Sequence, residues 1–201
     1  MVNAALKAGR DLARDFGEVA NLQVSRKGPA DFVSAADRRA ERIIHEELAK
    51  ARPKWGFLLE ERGAVPGEDP QHRFIVDPLD GTTNFLHAIP LFAISIALES
   101  QGRLMAAVVF NPVADELYTA ERGRGAYLND HRLRVAQRRD IREAVVSTGI
   151  PHFGRGDHVR ALAELKAVMP EVAGVRRTGA ASVDLAWTAA GRLDGYWEHG
   201  L

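Results

Sequence analysis

The segment Asp77-Pro78-Leu79-Asp80-Gly81-Thr82-Thr83-Asn84 constrains this chain more than any other stretch of its 201 residues. It follows the apolar run Arg73-Phe74-Ile75-Val76, which is short enough to be a buried strand. Pro78 sets its own φ, so the chain turns sharply after Asp77. Such a turn can aim the carboxylates of Asp77 and Asp80 and the carbonyl of Leu79 at one point. Gly81 lets the backbone approach a ligand closely, and Thr82-Thr83-Asn84 can open a helical turn whose free N–H groups attract an anion. A second apolar run, Gly56-Phe57-Leu58-Leu59, stops at Glu60-Glu61. If the two runs are neighbouring strands, all of these carboxylates meet at one sheet edge.

The donors are all oxygen, which suits Mg²⁺ holding several of its waters. The chain has no cysteine, so a thiolate metal site, a cysteine nucleophile and a disulfide framework are excluded. A metal site touching a phosphate site is the layout of a metal-dependent phosphatase. The pentapeptide alone also makes a plain solvated turn; Thr82-Thr83-Asn84 and the Glu60-Glu61 pair shift the reading toward a site. Asp37 adds a further acidic group. It is expected in the first turn of a helix that begins near Ser34, with Ser34 as cap, where the helix dipole alone favours a carboxylate. The functional alternative is a hydrogen bond to Thr82 that helps take a proton from water.

The remaining chain supplies the frame. Residues 4–17 carry apolar side chains at helical spacing, and residues 22–27 are strand-like up to Gly28-Pro29. Strands are expected at 92–98, 105–110, 116–120, 126–128, 143–148 and 193–197, with Asn129-Asp130 as a hairpin turn. Helices are expected at 157–169 and 180–190. This order implies a layered α/β sandwich with helix-covered sheets. Lys+Arg and Asp+Glu are each 27, and a formal net charge of zero argues against bulk binding to nucleic acid or anionic lipid. No run is long enough to span a bilayer, and residues 1–11 do not resemble a signal peptide, so a cytoplasmic location is expected. The histidines lack ligand spacing: His45-Glu46-Glu47 has no second histidine. The three tryptophans and the pairs Arg138-Arg139 and Arg176-Arg177 are most simply core and solvated surface.

Several segments together resemble the inositol monophosphatase family, in particular its bacterial branch. They are Lys27-Gly-Pro-Ala-Asp-Phe-Val-Ser-Ala-Ala-Asp37, Phe57-Leu-Leu-Glu-Glu61, Ile75-Val-Asp-Pro-Leu-Asp-Gly-Thr-Thr-Asn-Phe85, Gly123-Arg-Gly-Ala126, Gly179-Ala-Ala-Ser-Val-Asp-Leu185 and Gly191-Arg-Leu-Asp-Gly-Tyr-Trp-Glu198. The resemblance implies an αβαβα sandwich like that of the inositol monophosphatases and fructose-1,6-bisphosphatases. It also implies Mg²⁺-dependent hydrolysis of a phosphorylated polyol, lithium sensitivity and a homodimer. It assigns Glu61, Asp77, the Leu79 carbonyl and Asp80 to metal, and Asp37 and Thr82 to the attacking water. Gly81 and Thr82 would hold phosphate, and Asp80, Ala181 and Glu198 would meet substrate hydroxyls. Lys27 would lie near the site.

The resemblance further implies one domain over residues 1–201, a metal-site half to about residue 140 followed by a shortened half. Departures are Arg62 beside Glu61, Ala180 where the family usually has a hydroxyl, and the lack of the late Trp-Asp motif. The sandwich is therefore expected to be C-terminally incomplete and the second metal site impaired. Some bacterial relatives act in transcription complexes, which implies a possible protein partner there. Related folds serve nucleotide, sugar and histidinol phosphates.

Overall fold

Alanines and one glycine on the first helix decide how closely it meets the sheet beneath. In the computed structural model, which describes residues 1–22, 29–151 and 156–201, helix α1 (Val2–Leu22) buries Ala4, Ala5, Ala8, Leu12 and Val19. Gly9 faces Phe110: a Cβ there would stand 2.4 Å from the nearest ring carbon. Helix α2 (Pro29–Ala51) buries Ala36, Ala40, Ile44 and Leu48, one residue per turn along one stripe.

Two compact units make up the chain, Met1–Arg132 and Leu133–Leu201. The first holds a sheet of eight strands. They are β1 (Trp55–Leu59), β2 (Gly63–Val65), β3 (Asp69–Asp80), β4 (Ala93–Ser100), β5 (Arg103–Asn111), β6 (Glu116–Glu121), β7 (Gly125–Leu128) and β8 (His131–Arg132). Their order is β2-β1-β3-β4-β5-β6-β7-β8, and only β1 and β3 pair in parallel. Alternate residues of the strands, Phe57 and Leu59, Phe74 and Val76, Ile94 and Ile96, Val108 and Phe110, join the buried stripes of α1 and α2 in one core. Short helix α3 (Thr82–Leu86) follows β3 and plugs that core with Phe85. The Phe85 ring lies 5.6 Å from Phe16 and 4.9 Å from Phe92, edge-on to both. Asp15 forms an ion pair with Arg39 that ties α1 to α2.

In the second unit, β9 (Val145–Thr148) lies between β10 (Gly174–Arg176) and β11 (Gly195–Trp197), all parallel. Helices α4 (His158–Val168) and α5 (Ala181–Ala189) are the crossovers such pairing demands. Asp157 caps α4, accepting from the Arg160 N–H, as its place before the apolar run suggests. Asp194 accepts from the Val145 N–H and from Arg138 Nε, fixing the start of β9.

The layered α/β class inferred from the element order is borne out. Helix α2, however, begins at Pro29, five residues before Ser34, because proline is pre-set for the first helical position. Ser34 is thus inside the helix, and Asp37 is its ninth residue, too far from the start for the dipole to explain it. Of the stretch 22–27 expected to be strand-like, Leu22 is instead the last residue of α1, and residues 23–27, with Lys27, lie outside the described residues, as does His152. Asn129 and Asp130 form the expected hairpin turn, both with positive φ (44° and 68°). No helix among the described residues is long and apolar enough to cross a membrane.

The packing of α1 yields a paired expectation. Gly9→Ala should cost about 1–3 kcal/mol, because Phe110 must move. Gly17→Ala, where a Cβ meets nothing within 4 Å, should stabilise by about 0.5–1 kcal/mol through helix propensity. Urea unfolding of the two variants beside the parent checks the difference in sign.

Candidate active site

Parallel pairing of β1 and β3 aligns Leu59 with Val76, and the Glu60 N–H donates to the Val76 carbonyl at 3.1 Å. The chain therefore leaves β1 as Glu60-Glu61 level with Asp77. Beyond Asp77 the β3–β4 register slips, and Pro78-Leu79 bulge before Asp80 pairs with Ala93. Asp77 Oδ1 accepts the Leu79 N–H at 3.0 Å, closing the turn that Pro78 begins. Gly81 then adopts a left-handed conformation (φ 91°) and caps α3. A side chain at this φ would be strained.

Helix α2 brings the other acids. Asp37 is buried, with 3% of its surface exposed, and its Oδ1 has no hydrogen-bond partner among the described residues. One turn later stands Glu41, 1% exposed. Its Oε2 accepts the backbone N–H of Glu61 at 2.9 Å, and its Oε1 accepts from Arg62 Nε at 2.7 Å. Arg62, which breaks the family pattern, supplies the positive charge that a buried carboxylate requires.

The carboxyl groups feel one another. Burial, then the charge of Asp80 and the charge and hydrogen bond of Glu60, raise Asp77 to about 8. Burial, then Glu60, Glu61 and Glu41, raise Asp37 to about 7. Asp37, Glu41, Glu60, Glu61, Asp77 and Asp80 thus form one acidic neighbourhood short of positive charge. Among the described residues, no three acids or histidines gather into a set that could hold a metal ion as they stand. In donor chemistry the neighbourhood still fits a hard cation: every donor is oxygen, one buried carboxylate oxygen is unpartnered, and the negative charge is undercompensated.

The Thr82 hydroxyl donates to the Leu79 carbonyl at 3.0 Å, not to Asp37. A hydroxyl in the first turn of α3 reaches back to the carbonyl three residues earlier more readily than across to another helix. Glu60, not Glu61, hydrogen-bonds Asp77. Ala181 and Glu198 both belong to the second unit. Ala181 opens α5, after a turn held by Thr178 Oγ1 donating to the buried Asp184 at 2.6 Å. Glu198 follows β11, exposed; it accepts from the Tyr196 hydroxyl and lies against Gly149, where a Cβ would overlap its carboxyl group. Sequence reasoning missed Glu41. Its signal was present: it sits four residues after Asp37, beside the buried stripe Ala36, Ala40 and Ile44.

A mixed sheet under two helices, with carboxylates gathered where its one parallel strand pair ends, defines a layered α/β protein with an acidic candidate site. Comparison with known proteins narrows this. The family described as "Inositol monophosphatase family" matches residues 1–201, and the chain belongs to it. It is therefore a member of a phosphatase family. An inositol-1-monophosphatase of Mesorhizobium japonicum is 67% identical over 201 residues, covering 100% of this chain and 76% of that protein. The Nus factor SuhB of Escherichia coli is 41% identical over 200 residues, covering 100% of this chain and 75% of that protein. Among solved structures, the native extragenic suppressor protein suhB of Bartonella henselae superposes with a TM-score of 0.92 at 64% identity, covering all of this chain and 77% of that one. The inositol monophosphatase of Anabaena superposes at 0.86 with 34% identity, over 99% of this chain and 73% of that one.

The raised carboxyls set the pH dependence of the cation-free chain. An unfolded aspartate titrates near 3.8, whereas Asp37 and Asp77 titrate at about 7 and about 8 when folded. Between those values the folded state binds more protons than the unfolded one. Their stabilising contribution is complete below about pH 4 and is lost as pH rises through 7 and 8. In chelator, the thermal midpoint should therefore fall from about pH 5.5 to about pH 8.5 by more than in Asp77→Asn, which removes one of the two groups. A parent and variant with the same pH slope would contradict this.

Proposed function

We propose that the chain is a Mg²⁺-dependent phosphomonoesterase that hydrolyses inositol monophosphate or a similar polyol phosphate. The observation that carries this reading is the acidic neighbourhood at the ends of β1 and β3, where Asp77 and Asp37 are pushed to about 8 and about 7 for want of positive charge. The inositol-1-monophosphatase name of the 67%-identical relative supports the substrate. Glu61, Asp77, the Leu79 carbonyl and Asp80 are the ligands in this reading. Bound there, Mg²⁺ supplies the positive charge that neutralises phosphate oxygens and makes a water nucleophilic near pH 7.

The chain's own residues do the rest. Asp37, whose Oδ1 has no hydrogen-bond partner among the described residues, accepts a proton from the attacking water. The Thr82 hydroxyl, held by the Leu79 carbonyl, orients that water, and the N–H groups of Gly81 and Thr82 hold the phosphate. Asp80, Ala181 and Glu198 are the residues that the family resemblance assigns to the polyol hydroxyls. Lithium sensitivity, a homodimeric state and a cytoplasmic location belong to the same reading, as the family resemblance implies.

The relatives named Nus factor SuhB support a second reading, in which the chain also binds a protein partner independently of catalysis. One variant serves both. Asp80→Asn should lower Mg²⁺-dependent phosphate release from inositol 1-phosphate by at least about a thousandfold, since a ligand carboxylate is removed from the centre that carries the charge. Its circular dichroism should match that of the parent, and its thermal midpoint in chelator should be no lower, since a charge that repels Asp77 is removed. Undiminished release sinks the phosphatase assignment to these residues. For the second reading, partner capture must survive Asp80→Asn.

A further inference from the structure

Glu41 is a charged side chain held almost wholly out of water, and neither a substrate nor a core requires it there. Both of its oxygens are used on one short stretch of chain. Oε2 accepts the Glu61 backbone N–H at 2.9 Å, and Oε1 accepts from Arg62 Nε at 2.7 Å. The side chain is 2% exposed, while its partner Arg62 is 46% exposed. Helix α2 therefore holds the turn after β1 from beneath, through one carboxylate, at the two residues that follow Glu60.

That turn carries acids that must face a neighbour of the same charge. Asp37, one helical turn before Glu41, is pushed up by Glu60 and Glu61, and Asp77 by Glu60. Left to itself, an exposed turn bearing two carboxylates would swing away from Asp77 and Asp37 to relieve the repulsion. Strand pairing limits this only at the turn's two ends: β1 pairs with β3 as far as Leu59 opposite Val76 and with β2 as far as Leu59 opposite Gly63, so Glu60, Glu61 and Arg62 are the loop of a hairpin, and within that loop only the Glu60 N–H continues the ladder. The backbone of Glu61 is held by Glu41 instead. A charge-assisted hydrogen bond to a buried carboxylate is among the stronger ties available to a single N–H.

We infer that Glu41 is a positioning residue: with Arg62 as its counterion, it latches the Glu60-Glu61 turn onto α2 and so keeps Glu61 facing the acidic neighbourhood before any cation arrives. For its consequence in cation binding the inference rests on the phosphatase reading; for the latch itself it does not. Arg62 here is the working half of the latch, which accounts for a basic residue beside an acidic pair.

The test uses Glu41→Gln in the full chain. A glutamine has one accepting oxygen and cannot hold both the Glu61 N–H and Arg62 as the carboxylate does. In chelator, hydrogen exchange at the Glu61 amide should speed up by at least about tenfold, with Ile94 and Ile96 amides in the central strand unchanged. By calorimetry, the Mg²⁺ dissociation constant should rise about 10- to 100-fold, the range for outer partners of metal ligands. In activity assays at saturating Mg²⁺, the substrate KM should stay near that of the parent. Exchange at Glu61 equal to the parent's overturns the latch. Faster exchange with an unchanged Mg²⁺ constant overturns its positioning role. If Glu41→Gln does not fold, Arg62→Gln at the exposed end of the pair must show the faster Glu61 exchange, and unchanged exchange there overturns the latch equally. A parent that binds Mg²⁺ but releases no phosphate defeats the proposed function alone; a parent that binds no Mg²⁺ defeats that function and the latch's consequence for cation binding, while exchange at the Glu61 amide still decides the latch.

Discussion

Repulsion among six carboxylates, two buried, two half-buried and two exposed, is the constraint on which the rest of the first unit depends. Asp37 and Glu41 come from α2, Glu60 and Glu61 from the end of β1, and Asp77 and Asp80 from the end of β3. Nothing in local propensity would gather six acids from three elements. They are brought together because the hydrophobic stripes of α1 and α2 must cover one face of the sheet, and because β1 and β3 pair in parallel. Core burial thus overcomes the electrostatic cost, and the residual strain appears as proton affinities near neutrality at Asp37 and Asp77.

The surrounding structure manages that cost in particular ways. Arg62 compensates Glu41, and Arg39 compensates Asp15 where α1 meets α2. The Leu79 N–H satisfies one oxygen of Asp77. Phe85 packs edge-on against Phe16 and Phe92, anchoring α3 directly after the acidic turn. Stability and site geometry are therefore opposed at the carboxylates and allied at the aromatic cluster.

The membership of the inositol monophosphatase family gives this arrangement its context, and the relatives divide into proteins named for an enzyme activity and proteins named as Nus factors. The chain spans about three quarters of their length: 76% of the Mesorhizobium protein and 75% of the Escherichia coli one. Proteins of both kinds of name share the fold, so the architecture alone does not separate an enzyme from a Nus factor.

Much of this was legible in the residues. The strand Arg73–Val76, the turn forced by Pro78 and the hairpin at Asn129-Asp130 are local consequences of side-chain shape and backbone freedom, and each is found where its chemistry predicts. The start of α2 was misplaced because Ser34 offered a capping signal that Pro29 outcompeted. The short strands β2, β8 and β10 were not foreseen, since three or fewer residues carry no periodicity and owe their state to a neighbour's edge. Sequence determined which residues can carry the charge: the Asp77-Pro78-Leu79-Asp80 turn and the Glu60-Glu61 pair. Only the tertiary structure decided that Glu60 faces Asp77, that Thr82 bonds Leu79, and that Glu41 grips Glu61. Those pairings follow from how α2 lies on the sheet, a long-range packing outcome that no local pattern encodes.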